Sequence, residues 1–217
     1  MKSIKNKYNY YFTNKAFVFS VIVGILFVIF SLVINFYAGT YATKSISDPV
    51  NDIILSNFPA YNVEDIFIYG PLFLWGFAII ITAADPKKFP FLLKSIALFI
   101  VVRSVFITLT HIGPFPDRVA LDISPAGWLN RFTFGGDLFF SAHTGLPFLL
   151  GLAYWDHKLL RTIFIIASVF FGIIVLLGHL HYSIDVLSAF FITYTIYHIS
   201  EILFKKDKEY FDEVGVL

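Results

Sequence analysis

Residues 16–43 read AFVFSVIVGILFVIFSLVINFYAGTYAT, a run without a charged side chain. A bilayer core of about 30 Å is crossed by roughly 20 mostly apolar residues in a helix, so this run is long enough to span it. Lys2, Lys5, Lys7 and Lys15 precede it, as in a secretory signal, but a signal's apolar region is only about 7–15 residues long. The run therefore reads as a retained signal anchor. Outward from it, similar runs follow at about 66–84, 90–112, 138–155, 160–178 and 182–203. With 16–38 they predict six spans. Lipid offers no partner to a backbone N–H or C=O, and a helix satisfies both internally. The expected fold is all-α, an integral membrane bundle of six transmembrane helices. Pro71 and Pro147 fall inside spans, where neighbouring groups can satisfy the freed carbonyls.

Composition agrees. The chain is 58% hydrophobic and 19% aromatic with mean hydropathy +0.76, outside the range of soluble domains. Charged residues are 14% of the chain and nearly balance at +1, so there is no basic field to hold nucleic acid. The absence of cysteine removes disulfides, thiolate nucleophiles and Cys-bearing zinc sites together. Covalent chemistry falls to His, Ser or a carboxylate.

Lysine and arginine collect at cytoplasmic helix ends. With the N-terminus inside, Lys2, Lys5, Lys7, Lys15, Lys87, Lys88, Lys94, Lys158, Arg161, Lys205, Lys206 and Lys208 lie inside. Only Lys44, Arg103, Arg118 and Arg131 lie outside. The expected layout is a cytoplasmic interfacial segment 1–15, a membrane domain 16–203 and a cytoplasmic tail 204–217. Tyr8, Tyr10, Tyr11 and Phe12 among the first lysines read as an interfacial anchor. Two long outer connections remain, about 39–65 and 113–137, and loops of that size tend to be functional or mobile.

Polar residues stand where apolar ones would cost less. Arg103 lies about nine residues, roughly 13 Å along a helix, from the outer end of its span. A buried arginine at that depth needs an anionic partner inside the bundle; the alternative is snorkelling to the interface. Gly135-Gly136-Asp137-Leu138-Phe139-Phe140-Ser141-Ala142-His143-Thr144 opens the fourth span. Its glycines permit a sharp turn, and the helix start behind them offers free N–H groups to a phosphate. His143 either serves that site or bonds a loop carbonyl. In His179-Leu180-His181-Tyr182-Ser183-Ile184-Asp185, His181 and Asp185 are four apart. On one helical face the carboxylate can hold one imidazole nitrogen and leave the other nucleophilic; a structural cap is the alternative. The six-span topology puts Arg103, His143, His181 and Asp185 in one leaflet, a cationic, imidazole-lined pocket suited to a phosphate ester.

At these residues the chain resembles the sphingomyelin synthase branch of the type 2 phosphatidic acid phosphatase (PAP2) superfamily. Arg103 through Pro114-Phe115-Pro116, GGDLFFSAHT and GHLHYSIDV resemble that branch's second, third and fourth motifs. The likeness covers about 60–203. It implies that His181 forms a phosphohistidine, Asp185 orients it and His143 protonates the leaving oxygen. Arg103 and Asp137 would line the same site, with Ser141 and His179 as further phosphate-binding candidates. Val175 stands where ordinary members of the superfamily carry an arginine, which favours the synthase branch. Gly135 replaces the third motif's usual cysteine, and Ala142 its usual glycine, which could alter substrate or rate.

The implied activity is transfer of a phosphate-bearing head group between lipids, with ceramide or diacylglycerol as acceptor. The alternatives are a lipid phosphate phosphatase, with water as acceptor, and a transporter or inactive scaffold. Phospholipid and lipid-alcohol substrates are the expected partners, and no metal or other cofactor is expected. Residue usage points to a bacterial inner membrane with a periplasmic site. Asp117, Arg118, Asp122, Trp128 and Arg131 of the outer connection can contact a head group or simply be solvated; His111 is an outer-face candidate, whereas His157 and His198 fall on the inner side.

Overall fold

The computed structural model describes residues 4–119 and 135–213; Asp122, Trp128 and Arg131 lie outside them. Helix α1 (Ile4–Thr13) stops at Asn14, whose side-chain oxygen accepts the N–H groups of Ala16 and Phe17 at 3.0 and 3.4 Å and so caps α2 (Lys15–Lys44). Then come α3 (Glu64–Ala84), α4 (Phe89–Leu109), α5 (Ala142–Ala153), α6 (Lys158–Leu177), α7 (Ser183–Leu203) and α8 (Lys205–Asp212). The described residues form no strand.

Five helices are long and apolar enough to cross a membrane: α2, α3, α4 extended back to Pro86, α6 and α7. The sixth expected span, 138–155, is where sequence and structure part. Only its 12-residue core, α5, is helical, about 18 Å against a bilayer core of about 30 Å. Residues 135–141 are irregular instead. Non-helical backbone at membrane depth survives only when buried in protein that meets its polar groups, and Arg103 meets the carbonyls of Asp137 and Phe140 here. An apolar run measured by hydropathy alone cannot register that exchange of helix for side-chain partners.

α2 packs along α4, and α5 sits against α6 and α7. The shared core holds Phe91, Phe99, Phe140, Leu149, Phe164 and Ile196. Gly145 is where α5 meets it most closely: a Cβ there would lie 2.7 Å from the Phe99 ring and from Thr193 Oγ1. Phe73, Ile80, Phe191 and Ile202 point outward, each more than two-thirds exposed, a surface that suits lipid and would be a liability in water.

One end of the bundle is polar and tightly joined. Lys94 Nζ meets Asp207 Oδ2 and Ser20 Oγ at 2.6 Å each, tying α4, α8 and α2 through a buried ion pair. Lys7 pairs with Asp85 at 3.1 Å, and Tyr11 donates to Glu213 at 2.8 Å. Lys88 lies over the Tyr154 ring, 4.3 Å from its centroid. Both ends of the described chain thus share one end of the bundle, and the α6–α7 turn with its histidines caps the other.

Candidate active site

α6 runs out at Leu177, and His179 takes a left-handed backbone with φ 51°. The turn is closed by Leu180 N–H donating to Val175 O at 2.8 Å, which brings His181 to the start of α7. His181 and Asp185 do meet, but not as two positions on a helical face. His181 precedes the helix, and Asp185, in its first turn, folds back on it. Its Oδ2 accepts the Tyr182 N–H at 2.9 Å and lies 3.3 Å from His181 Nδ1. This reach from the third helical position to the cap is half of a capping box. It fixes the ring through Nδ1 and leaves Nε2 free of that carboxylate. Asp185 is fully buried, and its Oδ1 has no partner among the described residues.

The second wall is residues 135–144. Gly136 is pressed against α2: a Cβ would stand 2.8 Å from Ala42 O, and its N–H reaches Thr43 Oγ1 at 3.3 Å. Buried Arg103 then takes the strand of backbone in hand. Its Nε donates to Phe140 O at 2.8 Å, and its Nη2 donates to Asp137 O and to Asp137 Oδ2, the latter at 3.2 Å. Arg103 therefore faces the interior with an anionic partner rather than snorkelling. Ser141 N–H donates to Asp185 O at 3.1 Å, joining the start of α5 to the start of α7. Ser141 occupies the cap position of α5 without capping it, and its Oγ, like Thr144 Oγ1, is buried with no partner among the described residues. The first turn of α5 keeps its N–H groups unclaimed by a side chain, a positive helix end beside the imidazoles.

His143, in that first turn, stacks on Phe67 of α3 with ring centroids 4.1 Å apart and planes 22° from parallel. Pro71, Trp75, Leu146, Leu150 and Phe171 leave a small apolar gap of about 20 Å³ against His143, room for a single water-sized group. The arrangement offers a free imidazole nitrogen, a second imidazole, a guanidinium and a helix N-terminus. Among the described residues no three His, Asp or Glu side chains converge as a metal set would.

Arg103, Asp137, Ser141, His143, His181 and Asp185 are thus gathered at one end of the bundle. His179 is not part of that constellation by any contact. Its ring is boxed by Phe58 and Phe115, at 5.6 and 5.1 Å, with both nitrogens buried and unpartnered among the described residues. His111 stacks edge-on with Tyr41. Of the outer-connection charges, Asp117 is exposed, whereas Arg118 is partly buried and donates to Gly135 O at 3.0 Å. Burial pulls the Arg118 guanidinium below its ordinary value while the Asp137 charge opposes the change.

Sequence reasoning missed Asp52 and Phe67. Asp52 is buried in the connection between α2 and α3, with Oδ1 accepting the N–H of Ile54 and Leu55 at 2.8 and 3.1 Å and Oδ2 accepting that of Ser183 at 2.7 Å. Burial alone would raise its carboxyl; these N–H donors outweigh it and hold it below the usual aspartate value. No spacing pattern announces such a contact. The only signal available was that the connection is long.

Residues 135–202 match the family model described as PAP2 superfamily C-terminal. No curated protein and no solved structure matches the chain. The matched segment runs from the glycines before Asp137 to the end of α7, and so contains His143, His181 and Asp185. It supports the PAP2 superfamily and, with it, a membrane enzyme of the lipid phosphatase or phosphotransferase kind.

Proposed function

We propose that this chain is a membrane-embedded lipid phosphotransferase that moves a phosphate-bearing head group from one lipid to another, with ceramide or diacylglycerol as acceptor. The observation that carries the reading is a His181 whose Nδ1 faces Asp185, with Ser141, two residues before His143, bonded to the Asp185 carbonyl. In the first half-reaction His181 Nε2 attacks phosphorus. A P–N bond forms, the P–O bond to the donor lipid breaks, and protonated His143 gives its proton to the departing alkoxide. In the second, neutral His143 takes the proton of the acceptor hydroxyl as its oxygen attacks phosphorus, and the P–N bond breaks. Charge on the non-bridging oxygens is met by Arg103 and the N-terminus of α5, which is where positioning and electrostatics lower the barrier. A lipid rather than water as acceptor is supported by the likeness of GGDLFFSAHT and GHLHYSIDV to the synthase branch and by Val175 in the place of the arginine of ordinary members.

The lysine-rich end that holds α1 and α8 is assigned to the cytoplasm by charge asymmetry, which puts the site on the outer face, periplasmic in a bacterial inner membrane. The test is a trapped intermediate. Enzyme quenched during turnover should carry an acid-labile, base-stable phosphoryl label on His181, and His181→Ala should abolish label and turnover together. His143→Ala should lose natural lipid substrates but retain a nitrophenyl ester, whose leaving group needs no proton. Label on His143, or no rescue by the activated ester, refutes the assignment. Lipid mass spectrometry of membranes fed ceramide and diacylglycerol identifies the acceptor; release of only the dephosphorylated lipid means water takes that place.

A further inference from the structure

Asp52 sits 131 residues from Ser183 in sequence and 2.7 Å from its amide in space. Two carboxylates therefore hold consecutive amides at the start of α7: Asp185 Oδ2 takes Tyr182 N–H, and Asp52 Oδ2 takes Ser183 N–H. We propose that Asp52 is a positioning residue for His181, a clasp by which the first outer connection fixes the peptide planes that let Asp185 hold the imidazole. The role assigned to His181 is that of the proposed transfer reaction, on which this inference rests.

The geometry is specific. Asp185 Oδ2 has to serve Tyr182 N–H and His181 Nδ1 at once, and the Tyr182–Ser183 peptide, whose N–H Asp52 holds, carries the Tyr182 O that accepts the Asp185 N–H at 3.0 Å, so a rotation of that peptide would displace Asp185 from both. Asp52 blocks that rotation from the other side. Its second oxygen is engaged by Ile54 and Leu55 N–H, so the carboxylate is held by its own turn before it meets α7. The same connection is fastened again at Tyr182, whose hydroxyl accepts the Val50 N–H at 3.3 Å and donates to Gly113 O at 2.7 Å. Gly113 N–H returns to Asp48 O at 3.3 Å. A Cβ on Gly113 would stand 2.3 Å from Ser47 O, so the two outer connections touch backbone to backbone. Leu55 is buried with Leu138 and Tyr182 underneath. No residue of the clasp lines the gap beside His143, so it should govern the rate of the nucleophile and not the binding of substrate.

The test compares Asp52→Asn, Asp52→Glu and the exposed Asp48→Asn in detergent micelles, with nitrophenyl phosphate mono- and diesters as substrates and amide hydrogen exchange followed by mass spectrometry. Asparagine turns one oxygen into an NH2 that cannot accept the amides, and loss of hydrogen bonds to a charged group should lower kcat per folded molecule about tenfold or more. KM should stay within about twofold, and exchange at Tyr182–Asp185 should quicken. Asp52→Glu should recover part of the rate, since it restores the charge, and Asp48→Asn should match the wild type. An Asp52→Asn enzyme with unchanged kcat overturns the proposal while leaving the transfer mechanism standing. If wild type and His181→Ala are equally active or equally inactive, the transfer mechanism fails, and exchange decides alone: unaltered protection at Tyr182–Asp185 overturns the clasp, faster exchange upholds it.

Discussion

Removing the Arg103 guanidinium should damage the protein through its neighbour more than through its own absence. Arg103 and Asp137 have side chains 7% and 23% exposed, so the pair is largely shielded from water. In Arg103→Ala, the Asp137 carboxylate stays behind without its counter-charge, and Phe140 O and Asp137 O lose their donor. Breaking a buried pair from one side costs about 3–5 kcal/mol; the residual exposure of Asp137 puts the expected loss near the lower end, about 3 kcal/mol. Arg103→Lys keeps the charge but cannot reach Phe140 O and Asp137 together, because its donors share one nitrogen. One charged hydrogen bond, about 1.5–3 kcal/mol, is then lost. Asp137→Asn removes the orphaned charge. The double variant Arg103→Ala/Asp137→Asn should therefore be less unstable than the sum of its parts, with a coupling of about 1–3 kcal/mol. The assay is unfolding in mixed micelles titrated with sodium dodecyl sulfate, run on all four proteins of the cycle. Additivity within about 0.5 kcal/mol, the behaviour of independent sites, would refute the pairing. An Arg103→Ala protein as stable as the wild type would refute the claim that this arginine supports the irregular segment.

Asp52 makes stability depend on pH in a defined direction. Its carboxyl is held below the usual aspartate value by N–H donors, so its contribution is complete above the unfolded-state pKa and is lost as pH falls through the folded one. The stability gap between wild type and Asp52→Asn should be constant near neutrality and close as the medium is acidified below the ordinary aspartate range; a gap that widens in acid contradicts the assigned bonds. Gly145→Ala should cost about 1–3 kcal/mol by overpacking, since its methyl would press on Phe99 and Thr193, and a thermally unperturbed variant would show that α5 is packed less closely. For topology, a cysteine introduced near Lys206 should resist an impermeant thiol reagent in intact cells while one at Asp117 reacts. The native chain has no cysteine to confuse the result, and labelling at the Lys206 position would invert the proposed orientation.

Hydropathy and the motif residues were enough to determine an all-helical fold with helices apolar enough to cross a membrane, and to single out His143, His181, Asp185 and Arg103, which lie at one end of it. These properties are local: each helix satisfies its own backbone, and each apolar run meets lipid on its own account. What required the tertiary structure was every arrangement made by side chains meeting backbone across the chain. Residues 138–141 fall in the expected fourth span because Leu138, Phe139 and Phe140 are apolar, yet they leave the helix where Arg103, from α4, replaces the helical hydrogen bonds. The His181–Asp185 contact was legible as a spacing of four, but its form, a carboxylate folding back over a helix start, depends on the left-handed turn at His179. His179 carries the same side chain as His181 and lies two residues away, and the turn sends its ring to Phe58 and Phe115 instead. Asp52 was silent in the sequence because a contact spanning 131 residues leaves no periodicity; only the folding of the α2–α3 connection over the start of α7 brings a carboxylate to an amide that no helical carbonyl can serve.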